Sequence, residues 1–302
     1  MGGSDSEMGV VENASDLVQK VASGGIFTPQ EPIDIKIGYY AVLSTILFFQ
    51  LLNRVLIYTG VPKNAQDEPW KWRNLFVSWV HALICAIWVL SCFVVLPEMV
   101  DDLVGHYTMY SYLLVCFSVG YFIYDFGDIL VNKHMLKMWE VQAHHIAINV
   151  TFGYHVLYCT CIGYNVVALL AEVNTVFLHT RKLLQLSKVD YNHWGYRLNA
   201  VVNIITFVVC RFGGLIRIYY GMATEADRVT PFYWWMLAAS MFCMTVMNPI
   251  LLWRLFKNDF LRSDYKYKKQ RNGNNNEIRA KPEINGNTEV KNGYMKASVK
   301  LE

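Results

Sequence analysis

The chain has 302 residues, of which 54% are hydrophobic and only 17% are charged. Soluble chains carry roughly 25% charged residues, so this composition excludes an ordinary soluble protein and points to a membrane one. The formal charge of +3 is small and comes from the C-terminal tail, which gives no basis for a nucleic-acid partner.

In chain order, residues 1–37 are polar, mildly acidic and without an apolar signal-peptide core, and they read as an exterior tail. This tail carries the sequon Asn13-Ala14-Ser15, which makes Asn13 a glycosylation candidate. The first transmembrane helix, 38–60, must then act as its own insertion signal. Apolar runs long enough to cross about 30 Å of hydrocarbon fall near 38–59, 74–96, 107–131, 142–160, 164–183, 198–220 and 232–256. The connection between the fourth and fifth runs, around Cys161 to Tyr164, is very short and predicts an antiparallel pair. Residues 261–302 are rich in Asn, Lys, Gly and Glu and read as a disordered cytosolic tail. The fold expected is an all-α polytopic membrane protein with about seven transmembrane helices bundled around a central cavity.

Loop charges predict the orientation. Lys63, Lys71, Arg73, Lys133, Lys137, Arg181, Lys182, Lys188 and Arg197 follow the odd-numbered spans, and the basic tail follows the last. The opposite loops carry Glu98, Asp101 and Asp102, then Arg228 beside Glu225 and Asp227. The positive-inside rule puts the N-terminus outside and the C-terminus in the cytosol. The seven cysteines lie almost wholly in apolar runs and read as small buried residues. Cys159 and Cys161 form the only pair worth testing for a disulfide.

With that orientation, ionisable groups gather at one depth. Asp125 and Asp128 share a face of the third span with Tyr121, while His144 and His145 open the fourth, with Asn149 below His145. Glu172 falls near mid-membrane in the fifth span, and His179 lies two turns nearer the cytosol on the same face. Such groups in hydrocarbon must be paired, neutral or wet, so they mark a candidate site lining a cytosol-facing cavity. Each has a structural alternative: interfacial pairing of the aspartates with Lys133 or Lys137, and loop hydrogen bonds for the histidines. His155 reads as an interhelical hydrogen-bonding residue, Arg217 as snorkelling, and Arg211 as deep enough to need a partner. His134, His155 and His179 stand too far apart to add a metal site to the His144-His145 pair, and no metal or other cofactor is expected. A histidine beside a low-dielectric carboxylate is equipped to take a proton from a hydroxyl or amine.

Four motifs stand out: Trp70-Lys-Trp-Arg-Asn-Leu, Tyr112-Leu-Leu-Val-Cys-Phe-Ser-Val-Gly-Tyr-Phe-Ile-Tyr-Asp125, Trp139-Glu with His144-His145, and Glu172-Val-Asn-Thr-Val-Phe-Leu. With them the chain from Trp70 to Phe260 resembles the TLC-domain family, which includes the ceramide synthases and the translocon-associated TRAM protein. The second of these motifs is closest to the calfacilitin-like subgroup. The resemblance implies a TLC domain over 67–260 with six helices around a cavity for lipids or acyl chains. In ceramide synthases the His-His pair is followed by two essential aspartates three residues apart. Here those positions hold Glu172 and Thr175, so one acid is lost and ceramide synthesis is not the expected activity.

The subgroup resemblance implies a plasma-membrane regulator of phospholipid composition that limits polyunsaturated acyl chains and so restrains fluidity. Phospholipids or acyl chains are the expected partners, with acyl-CoA and other membrane proteins as further ones. One alternative is acyl-CoA-dependent N- or O-acyl transfer, with His144 or His145 as base and Glu172 orienting it. Another is a calcium-channel accessory subunit. Endoplasmic reticulum is the alternative membrane.

Overall fold

The computed structural model describes residues 33–136 and 138–261, and within these its regular elements are all helices, with no strand. Asn13, Lys137 and most of the two tails lie outside the described residues, and with them the candidate glycosylation site and the tail expected to be disordered. The chain divides at Leu255 into a main helical unit and a second one, described only as far as a π-helical turn at Lys257–Leu261.

The helices are α1 (Ile35–Thr59), α2 (Pro69–Val95), α3 (Met109–Val131), α4 (Trp139–Tyr158), α5 (Ile162–Leu169), α6 (Ala171–Leu186), α7 (Trp194–Thr206), α8 (Gly213–Thr224) and α9 (Pro231–Phe256). Their ends follow local chemistry. Asp34 caps α1 by accepting from the Lys36 amide at 2.9 Å, and Gly60 leaves it at φ 81°. Pro69 opens α2, where its missing N–H costs nothing. Thr108 and Ser111 form a capping box at the start of α3. Two segments interrupt otherwise continuous spans. Leu170 separates α5 from α6 with i→i−3 hydrogen bonds (Leu170 to Val167, Val173 to Leu170). A π-helical turn, Phe207–Phe212, separates α7 from α8.

Among the described residues, six helical stretches are long and apolar enough to cross a membrane: Ile35–Thr59, Pro69–Val95, Met109–Val131, Ile162–Leu186, Trp194–Thr224 and Pro231–Asp259. The expected fourth span, α4, is not among them. Its 20 residues reach about 30 Å, but Glu140, Gln142, His144, His145, Asn149 and His155 lower its mean hydropathy. The polarity is one-sided: Gln142, His145, Thr151 and His155 are buried, while Ile146, Val150 and Leu157 face outward. An average over both faces hides an apolar outer stripe on a helix with a polar inner one.

Backbones approach most closely where glycine allows it. Gly120 of α3 lies against Thr45 and the Val42 carbonyl of α1, and Gly38 of α1 sits against the hydroxyl end of Tyr112. Tyr112 in turn donates to the Val156 carbonyl of α4 at 3.0 Å. The main core joins Cys85 and Val89 of α2, Leu114 and Val115 of α3, Phe152 of α4 and Val166 of α5. A second core joins Leu103, Tyr164, Ile218, Met222, Tyr233 and Leu237.

The turn between α4 and α5 is as short as the sequence predicts, with Cys159 and Cys161 both in the left-handed region. All seven cysteines are nevertheless free. A His155 Nδ1–Asn165 Oδ1 contact of 2.7 Å bridges the turn, although α4 packs chiefly on α3 and α1 rather than on α5. Helix α9 meets the rest through long side chains, such as Tyr154 stacked on Tyr233 and Trp234 Nε1 donating to Met222 O. Large apolar side chains remain exposed along the helices, including Leu43, Leu47, Val94, Ile216 and Trp253. Hydrocarbon is the solvent such faces need. The protein is therefore a multi-pass helical membrane protein.

Candidate functional site

Every spanning helix must satisfy its polar groups inside the bundle, and here they assemble into two connected groups. In the first, Asp125 of α3 is 2% exposed, and its Oδ2 lies 3.1 Å from His145 Nδ1 of α4. Its Oδ1 accepts from Asn74 Nδ2 of α2 at 2.7 Å. Asp128, one turn on, accepts from Trp70 Nε1 at 3.1 Å, Asn53 Nδ2 at 3.2 Å and Asn132 Nδ2 at 3.2 Å. Neutral amide and indole donors thus hold both carboxylates. Tyr121, on the same face of α3, donates to Ser78 Oγ at 2.8 Å.

The second group centres on Glu172 of α6. Its Oε2 lies 3.8 Å from Nδ1 of His81, a residue of α2 that is 1% exposed. The His81 ring stacks on Tyr121 with centroids 3.8 Å apart, and its Nε2 lies 3.2 Å from Cys85 Sγ. The stack on Tyr121 joins the two groups. Among the described residues, no set of three or more His, Cys, Asp or Glu side chains is placed to hold a metal ion.

Arg211 has the partners that the sequence could not name. Its Nε donates to Asn174 Oδ1 at 2.7 Å, its Nη1 to Asn248 Oδ1 at 3.1 Å and its Nη2 to Thr175 Oγ1 at 3.0 Å. It sits in the π-helical turn, and such single turns inside α-helices recur at functional sites. Thr175, where the ceramide synthases carry their second acid, is therefore bound to a cation. Arg217 does not snorkel freely: it donates to the Val100 carbonyl and stands 3.9 Å from Glu225.

The structure accordingly brings Asp125 and His145 into contact and sets Asp128 beside them on Asn74. His144 adjoins His145 with ring centroids 5.8 Å apart. The carboxylate in contact with His145 is Asp125, whereas the one expected to orient the histidines, Glu172, contacts His81. Several inward polar atoms have no hydrogen-bond partner: both amide atoms of Gln142, Asn149 Oδ1 and His179 Nδ1. His145 Nδ1 meets Asp125 at ion-pair distance but outside hydrogen-bond geometry. Gln142, His145 and Asn149 share one face of α4 at i, i+3 and i+7.

Sequence reasoning missed His81, although a lone histidine in the apolar run of α2 is itself the signal of an intramembrane site. It also missed Asn53, Asn74, Asn174 and Asn248, which are uncharged and common in spans as interhelical hydrogen-bonding residues. Trp70 and Asn74 belong to the Trp70-Lys-Trp-Arg-Asn motif, and their task is to hold the aspartates.

Comparison with known proteins agrees with this architecture. The TLC domain profile matches residues 71–257. The chain is 36% identical over 220 residues to TLC domain-containing protein 2 of Danio rerio, covering 73% of this chain and 89% of that protein. It is 30% identical over 235 residues to TLC domain-containing protein 1 of Rattus norvegicus, covering 76% and 93%. It is 33% identical over 173 residues to TLC domain-containing protein 1 of Homo sapiens, covering 56% and 70%. No solved structure gives a significant match. With its helices, its inward polar groups and its sequence matched across most of the domain, the chain belongs to the TLC-domain family.

Proposed function

We propose that this protein regulates membrane phospholipid composition by binding or sensing a lipid or acyl chain among its helices, so limiting polyunsaturated acyl chains in phospholipids. The observation that carries this reading is a run of polar groups with unpartnered atoms (Gln142, Asn149, His179) inside a bundle whose outer faces are apolar. Buried polar atoms are costly unless bonded, so a binding partner for them is the physical expectation. The reading places the protein in the plasma membrane, N-terminus outside and C-terminus in the cytosol, on the loop-charge asymmetry and the subgroup resemblance.

A second reading is acyl transfer. The His145–Asp125 contact of 3.1 Å is what favours it, because a carboxylate orients an imidazole for general base work. Against it stands Thr175, which meets Arg211 in place of the second acid.

Lipidomes of cells expressing wild type, His145→Ala and Glu172→Gln at matched levels test the first reading. Wild type is expected to lower polyunsaturated phospholipids and both variants to lose that effect. Equal effects of all three would remove the site from the mechanism. Turnover of labelled acyl-CoA by purified protein, abolished by His145→Ala, would replace lipid sensing with transfer.

A further inference from the structure

A guanidinium within a membrane bundle is stable only if its charge and its five N–H donors are answered. Arg211 is held by three neutral oxygens from two helices, those of Asn174 and Thr175 on α6 and Asn248 on α9. Among the described residues no carboxylate lies within ion-pair distance of it, and the acidic group acting on it from further off, Glu172, is in contact with His81 instead.

The cage is itself rigid. Asn174 Nδ2 donates to Asn203 O and Oδ1, both at 2.8 Å, and to Thr206 Oγ1. Asn248 Nδ2 donates to Met244 O at 2.9 Å, and Thr175 Oγ1 to Ala171 O at 3.0 Å. The amide oxygens are thereby turned toward the cation, and the guanidinium is fixed without a carboxylate in direct contact, Glu172 acting on it from further off. His144 of α4 lies within electrostatic range of it. Gln142, 3% exposed with both amide atoms unpartnered, is buried one turn before His145 on that helix. A buried arginine is best compensated by a carboxylate in contact; among the described residues this one has none within ion-pair distance and is held by neutral oxygens instead.

We propose that Arg211 is the anchor for the anionic group of the lipid held in this site, a carboxylate or a phosphate at the end of an acyl chain. The proposal rests on the lipid-binding reading and adds the charge that the ligand must carry. The anion completes the ion pair with Arg211, and the chain extends among the apolar side chains of the bundle.

The test uses the full-length protein in phosphatidylcholine nanodiscs and measures binding of oleate, oleoyl lysophosphatidate and oleyl alcohol by displacement of a fluorescent fatty acid. At least one of the two anions is expected to bind about tenfold or more tightly than the alcohol, the discrimination that a charge-assisted buried bond confers. A preference for oleate assigns a free fatty acid, and one for lysophosphatidate assigns a phospholipid-like phosphate. Arg211→Gln is expected to bring the ratio of anion to alcohol affinity down to about one. Equal binding of anions and alcohol by the wild-type protein overturns the proposal while sparing the lipid-binding reading, and needs no variant to fold. A preference undiminished in a folded Arg211→Gln also overturns it. Failure of all three lipids to bind overturns both readings.

Discussion

Nδ1 of His145 and Oδ2 of Asp125 lie 3.1 Å apart across the boundary between α4 and α3, and the other oxygen of Asp125 is taken by Asn74 of α2. One carboxylate therefore joins three helices. Phe122 lies against the His145 ring at 5.2 Å between centroids and excludes water from one side of the pair.

Breaking that pair should be costly, because the surviving partner is left buried. Asp125→Ala is expected to lower unfolding stability by roughly 3–5 kcal/mol. A cycle of Asp125→Asn, His145→Gln and the double variant should give a coupling of roughly 0.5–3 kcal/mol. Thermal unfolding in detergent measures both; strict additivity would mean that the two side chains do not interact.

His81 and Glu172 should act as a unit in the lipid phenotype. His81→Phe keeps a ring stacked on Tyr121 but removes the nitrogens facing Glu172 and Cys85. We expect His81→Phe, Glu172→Gln and the double variant to shift cellular phospholipid unsaturation to the same extent. A double variant clearly worse than either single would show that the two residues contribute separately.

Gly120 should admit no larger residue. A Cβ there would stand 2.6 Å from Thr45 Cβ and 2.7 Å from the Val42 carbonyl oxygen, which is backbone and cannot move aside. Gly120→Ala is expected to cost about 1–3 kcal/mol by forcing α1 away from α3. Gly127→Ala, with nothing near its Cβ position, is the control and should not lower the unfolding temperature.

The pair joining two loops should give a small acid-side dependence of stability. Arg228 donates to Asp102 at 3.0 Å and holds its carboxyl below the usual carboxylate range. A folded value below the unfolded one of about 3.9 means that the pair stabilises above that pH. The stabilisation is lost as pH falls through the lower folded value. With side chains 37% and 44% exposed, solvent screens the interaction and the effect is modest. Unfolding temperature measured from pH 5 down to pH 2 should fall less steeply in Asp102→Asn than in wild type.

Much of the fold is legible in the chain because each apolar run carries its own length and its own ends. The run 107–131 corresponds to the helix Met109–Val131, and 232–256 to Pro231–Phe256. The second helix begins earlier than its apolar run, at Pro69, and its first two turns carry Trp70 and Asn74, which donate to Asp128 and Asp125. The polar residues of α4 are equally plain in the sequence, but their one-sidedness is a matter of helix rotation, which shows only when α3 and α1 are in place. His144, His145, Asp125 and Glu172 stand out as ionisable groups at membrane depth. Which carboxylate meets which imidazole does not, since it depends on the turn of four helices relative to one another.

By itself, then, the sequence determined that this is a helical membrane protein of the TLC family, since hydrophobic length and motif spacing are local properties. Only the tertiary structure decided the pairs: Asp125 with His145, Glu172 with His81, and Arg211 with Asn174, Thr175 and Asn248. Each joins residues far apart along the chain. Within a span, helical periodicity says which residues share a face; only packing says what that face meets.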